Sequence, residues 1–347
     1  METGRRSTGI DFIKVVAVFF VISIHSIGNL HVLATDMQGV RPFVIVVFRY
    51  FVMASVPLFL MITGYLQAHK MPCKRYFLGI LPVILSYLFI AACGALYNMY
   101  MDAAATWDAA LVSILDFTAN DYAWYVEMHI GLYLLIPFLN GGYLYLGERK
   151  KKLWLLTVLV LITIAPSMMS IFRTPERAFD ILPNYWIEFY PVCYYMIGVY
   201  IREYQPRINI FVSLGCALAS AVIPAVLVFA VSAGGPYVDW ILNGFYSLSS
   251  MLTALFLFLA FYDKEIKSRP IRYALKAVAF SSLEIYLFSN LIEKLVYPYL
   301  GIFPFRLPVT IALVFVLSLA AAKTKQLLFY LIKRTAGVLR LRNHDNL

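Results

Sequence analysis

Three ionisable side chains, Asp11, Lys14 and His25, stand in one apolar run, Ile10 to Leu30 (IDFIKVVAVFFVISIHSIGNL). A bilayer-spanning helix needs about 20 mostly apolar residues, and a charge inside one is costly enough to mark a site or a polar path. Lys14 and His25 are eleven residues apart. On an α-helix that is three turns plus roughly 20°, so both lie on one face, about 16 Å apart in depth. Asp11, three residues before Lys14, shares that stripe. A neutral imidazole can take a proton from a hydroxyl at physiological pH. A lysine ammonium can hold a phosphate as a point charge, without arginine's planar fork. The competing readings are structural: an Asp11 and Lys14 i,i+3 pair with Lys14 snorkelling to the helix end, and a histidine satisfied by a neighbour.

The elements that must position these groups follow from composition. The 347 residues are 62% hydrophobic and 14% charged, with mean hydropathy +0.77, whereas soluble domains carry about a quarter charged residues. The expected fold is all-α, a polytopic membrane protein. Ten apolar spans fit, near 10–30, 43–68, 76–97, 122–146, 153–172, 185–201, 208–231, 238–262, 273–296 and 305–323. An even number puts both termini on one side. Alternate connections (Arg5/Arg6, Lys70 to Arg75, Arg149 to Lys152, Arg202/Arg207, Lys264 to Arg272, and the tail from Lys323) hold 21 of the 29 Lys and Arg residues. The intervening loops hold only Arg41, Arg173, Arg177 and Arg306. The positive-inside rule therefore makes both termini cytoplasmic. It also accounts for the net charge of +10, so nucleic acid is not an expected partner.

The loop 98–121 carries four aspartates and no basic residue, and Trp107 to Phe117 within it suits a short interfacial helix. The tail alternates apolar and basic residues, as a segment resting on the anionic inner leaflet would. We expect a transmembrane domain over 1–333 and a basic cytoplasmic tail over 334–347. Cys73, Cys93, Cys193 and Cys216 have no metal or disulfide spacing and read as reduced packing residues. No metal site is expected. Charges inside the first span argue for a retained helix and against a cleaved signal.

Four motifs then carry a resemblance. Lys14 and His25 reproduce a basic residue, ten positions, then histidine; VPLFLMITGYL (56–66), WYVEMHIGLYLLIP (124–137) and SLEIYLFSN (282–290) follow in order. Together they resemble the acyltransferase family 3 membrane proteins, which O-acylate extracytoplasmic sugars and related polymers in bacteria. Family members commonly have Arg at the Lys14 position, Ser at Thr63 and His at Ser289. The segments around Trp124 and Tyr185 are similar to the branch containing the membrane domain of vancomycin-resistance serine racemases, where the same bundle has been assigned to serine uptake.

The resemblance implies a multi-pass enzyme of the bacterial plasma membrane. It would move an acyl group, acetyl above all, from cytoplasmic acyl-CoA to a hydroxyl of an extracytoplasmic glycan or lipid-linked saccharide. On that reading His25 is the general base and Lys14, with Asp11, holds the phosphates of the donor. The depth between Lys14 and His25 matches the reach of a pantetheine arm. Glu127 is a second catalytic candidate, although Glu127 and His129, two apart on one helix, cannot both face a site. Arg49, Glu284 and Trp124 are candidate substrate-binding residues, Arg49 also as an oxyanion contact. The alternative is a transporter of a serine-like amino acid, with the polar stripe as its path.

Overall fold

The computed structural model describes residues 7–102, 104, 106–173, 181–301 and 305–344, with side chains through 335. Arg5, Arg6 and Arg177, used above for topology, lie outside the described residues. Every regular element among the described residues is helical: α1 (Thr8–Asn29), α2 (Val40–Val52), α3 (Ser55–Gln67), α4 (Lys74–Leu78), α5 (Leu81–Met101), α6 (Trp107–Leu115), α7 (Trp124–Tyr145), α8 (Arg149–Thr163), α9 (Tyr190–Tyr204), α10 (Ile210–Ser232), α11 (Leu248–Phe261), α12 (Arg269–Phe280), α13 (Ser282–Val296) and α14 (Arg306–His344). Among the described residues, six stretches are long and apolar enough to cross a membrane: Thr8–Asn29, Val40–Gln67, Lys74–Met101, Arg149–Phe172, Ile210–Ser232 and Arg306–Thr335. The chain is thus an all-helical, polytopic membrane protein.

Four of the ten expected spans are not among these six: α7, over 122–146, forms one helix but is not apolar enough to count, and three others differ in form. The span over 273–296 is a pair of helices broken at Ser281. The span over 238–262 is helical only from Leu248, because Leu242 (φ 43°) and Gly244 (φ 98°) turn the backbone left-handed. Ser247 then caps the helix, its side chain accepting from the Ser250 N–H. The span over 185–201 becomes α-helical only at Tyr190, with Pro191 in its first turn, where the missing N–H costs nothing. The expected interfacial helix forms as α6, with Trp107, Leu111, Val112 and Leu115 exposed. The long helix α14 continues without a break past residue 334.

The chain divides into two compact units, residues 1–84 with 124–279, and 85–123 with 280–347. In the first, α1 packs against α2, α3 and α11, and α3 lies on α9. Lipid removes the hydrophobic drive between helices, so small residues and internal hydrogen bonds hold such a bundle together. A Cβ on Gly64 would lie 1.9 Å from the Tyr195 carbonyl oxygen, and one on Gly198 2.1 Å from that of Met61. The two glycines face across the α3/α9 seam and permit that backbone approach. Large buried tyrosines supply the bonds. Tyr50 donates to the Ile241 carbonyl at 2.5 Å, Tyr194 to Phe245 at 2.6 Å, and Tyr195 to Asn140 Oδ1 at 2.7 Å. Asn140 on α7 donates in turn to the Gln67 and Lys70 carbonyls, both at 2.8 Å. Cys193 is buried, Cys93 and Cys216 half-buried and Cys73 exposed, all with free thiols.

In the second unit, α13 packs along α14. Glu284 on α13 accepts from Lys325 Nζ at 2.5 Å, and Lys325 also donates to Ser86 at 2.7 Å. Gln326 completes the Glu284 carboxylate. Lys294 pairs with Asp121 at 3.0 Å, and Tyr122 donates to Glu293.

Candidate functional site

α1 begins against the segment that follows α11. A Cβ on Gly9 would sit 2.1 Å from the Phe261 carbonyl oxygen, so glycine allows the docking. The Ile266 N–H donates to Thr8 Oγ1 at 2.9 Å, and the Ser7 hydroxyl donates to the Tyr262 carbonyl at 3.2 Å. Asp11, only 5% exposed, lies in the first turn of α1, where the helix dipole favours a carboxylate. Beside it opens a cavity of about 540 Å³ whose wall includes Thr8, Asp11, Glu265, Arg269, Arg272 and Lys276. This is the end of the unit that carries the basic connections.

At the far end of the same helix, Ile27 and Gly28 help to line a second cavity, also of about 540 Å³, with Asp36, Arg49, Tyr237 and Asp239. Arg49 Nη1 donates to Asn243 Oδ1 at 2.9 Å, and its guanidinium lies 5.5 Å from the centroid of the Tyr237 ring. Asp239 and Asn243 also line a neighbouring cavity of about 230 Å³, together with Asn184, Trp240 and Tyr246. Trp240 Nε1 is buried there without a hydrogen-bond partner among the described residues.

Lys14 and His25 are half-buried on α1 between the two large cavities. Trp124 stacks on Phe245 with ring centroids 5.5 Å apart, so it braces the 239–246 segment on which Asp239, Trp240 and Asn243 are carried. Glu127 is exposed, while His129 is half-buried against Tyr125 and Tyr133 with its Nδ1 buried and unbonded. The two point to different faces, as their spacing requires. Glu284 lies in the second unit, in the ion pair described above. No group of three or more metal-ligating side chains is present among the described residues.

Reading the residues in order missed two features. Arg269 and Arg272 read as part of a basic connection and Lys276 as part of the span that follows, yet their i, i+3, i+7 spacing sets them along one helical face. Asp239, Trp240 and Asn243 carry no such signal, because a connecting segment of that composition is ordinary.

An all-helical polytopic protein with polar cavities at both ends of one charged helix is the class this fold defines. The sequence profile of the acyltransferase 3 family, described as an acyltransferase domain, matches residues 7–323, and the chain belongs to that family. No curated protein and no solved structure matches the chain. The family match supports a membrane acyltransferase and lends no support to transport.

Proposed function

We propose that the protein is a membrane O-acyltransferase that takes acetyl from cytoplasmic acetyl-CoA and passes it to a hydroxyl of an extracytoplasmic glycan or lipid-linked saccharide in a bacterial plasma membrane. One observation carries the reading: α1 contributes Asp11 to the cavity at the basic end and Gly28 to the cavity at the opposite end. The seventeen residue steps from Asp11 to Gly28 span about 26 Å at 1.5 Å per residue, close to the thickness of a hydrocarbon core. Lys14 and His25 lie in between on one stripe.

In this mechanism the donor enters at the basic end, with Lys14 and Asp11 at its entrance and its thioester carried along α1 toward His25. His25 removes the proton from the acceptor hydroxyl as the oxygen attacks the thioester carbonyl. The new C–O bond forms, the C–S bond breaks, and the proton passes from His25 to the departing CoA thiolate. Arg49, held by Asn243, supplies positive charge for the oxyanion or the acceptor. Trp124 positions the loop, and Glu127 is an acceptor contact. Glu284, committed to Lys325, supports the second unit and is a weaker candidate for substrate.

The test is transfer from radiolabelled acetyl-CoA to isolated surface polysaccharide by the full chain in liposomes. His25→Ala should slow transfer by about 10²–10⁴-fold, and Lys14→Glu should raise the donor KM. Unchanged transfer by correctly inserted His25→Ala would remove the base assignment. Thioester-independent uptake of labelled serine would remove the enzyme.

A further inference from the structure

The cavity at the basic end contains more chemistry than a lysine anchor requires. Arg269, Arg272 and Lys276 come from α12 on one face, and none of the three side chains has an ion-pair or hydrogen-bond partner among the described residues. Three uncompensated cations around one concavity are a site for a polyanion. Two carboxylates share the wall, Asp11 and Glu265, and so does the exposed ring of Tyr273. Carboxylates repel phosphate, so a bare phosphate or a lipid headgroup leaves half of this lining unused. A nucleotide uses all of it: phosphates against the cations, ribose hydroxyls and the base amino group donating to the carboxylates, and the base stacked on the tyrosine.

Position agrees with chemistry. Asp11 joins the cavity from α1, and Lys14 is one turn further along the same helix, about 4.5 Å deeper. A ligand lodged by its nucleotide in the cavity therefore has its remaining length directed past Lys14.

Resting on the acyl-CoA reading above, we propose that the α12 cavity is the docking site for the adenosine 3′-phosphate end of the donor, with Arg269, Arg272 and Lys276 as its phosphate contacts. Lys14 then meets the diphosphate. The cavity thereby selects CoA thioesters over shorter pantetheine thioesters.

The experiment measures binding of CoA, 3′-dephospho-CoA and pantetheine to the full chain in detergent by calorimetry. Wild-type protein should prefer CoA over 3′-dephospho-CoA. The triple variant Arg269→Gln, Arg272→Gln, Lys276→Gln should lose roughly ten- to a hundredfold in CoA affinity and bind CoA and 3′-dephospho-CoA alike, with pantetheine unchanged. Tyr273→Ala alone should weaken both nucleotides and spare pantetheine. A triple variant that binds CoA like wild type, in a protein with an unchanged melting temperature, overturns the proposal while leaving acyl transfer standing. Wild-type protein that binds no CoA at all overturns the acyl-CoA reading itself. Retention of phosphatidylglycerol vesicles that falls in the triple variant while CoA affinity holds assigns the cations to lipid, which also overturns the proposal.

Discussion

Among single residues, the buried pair Glu284 and Lys325 is the most consequential outside the first unit. Their side chains are 13% and 6% exposed, so each charge depends on the other. Lys325→Met leaves a carboxylate in a dry helix interface and should cost about 3–5 kcal/mol. Glu284→Gln with Lys325→Met should recover most of it, because Ser86 and Gln326 still bond an uncharged amide. Thermal unfolding in detergent checks both. Transfer per folded molecule should be the same in the double variant as in wild type, and a selective rise in acceptor KM would instead give Glu284 a substrate role. His25 and Lys14 stood out in sequence because a charge in an apolar run is visible from composition alone. Asp239 and Trp240 did not, since nothing local distinguishes them from any loop Asp or Trp.

Helix pairs supply the next scale. The α3/α9 seam depends on Gly64 and Gly198, where any side chain enters opposing backbone. Gly64→Ala should destabilise the protein by about 3 kcal/mol or more. Gly131→Ala on α7, with nothing within 4 Å of the added carbon, should be neutral or stabilise by up to about 1 kcal/mol. Melting temperatures of the two variants test the seam. The acidic connection around α6 responds to pH instead. Hydrogen bonds from Thr118 to Asp116, the hydroxyl at 2.7 Å and the N–H at 3.0 Å, hold the Asp116 carboxyl below its usual pKa. The Thr106 hydroxyl lowers that of Asp108 in the same sense. A depressed folded-state pKa means the contribution is complete above the unfolded value and is lost as pH falls through the folded one. Amide exchange in α6 should therefore be slower at pH 5–7 than base catalysis alone predicts from its rate near pH 3, and Thr118→Val should remove that excess protection.

At the scale of the molecule, orientation sets what the cavities can do. With Cys73→Ser as background, a cysteine at Asp102 should react with an impermeant thiol reagent on intact cells. One at Lys150 should react only after permeabilisation. The reverse pattern would put the α12 cavity outside the cell and remove the acyl-CoA reading.

Much of the architecture could be read along the chain. A helix long enough to cross lipid must satisfy its own backbone, so a run of some twenty apolar residues announces itself whatever it packs against. The first two spans and α10 agree closely with expectation for that reason. The departures have local causes. Val238 to Leu242 is apolar enough to resemble a span, but left-handed residues at Leu242 and Gly244 prevent a helix there. Ser281 divides α12 from α13, which made a basic amphipathic helix look like the entrance of a longer apolar one.

The amino-acid order by itself determined that this is a helical membrane protein of the acyltransferase 3 family, with Lys14 and His25 on one stripe, because length, hydropathy and helical period are properties of consecutive residues. Tertiary structure alone decided that Asp11 shares a cavity with Arg269, Arg272 and Lys276, and that Arg49 meets Asn243. Those partners lie 194 to 265 residues apart, and only the packing of distant helices, fixed by glycine seams and buried tyrosine hydroxyls, brings them together.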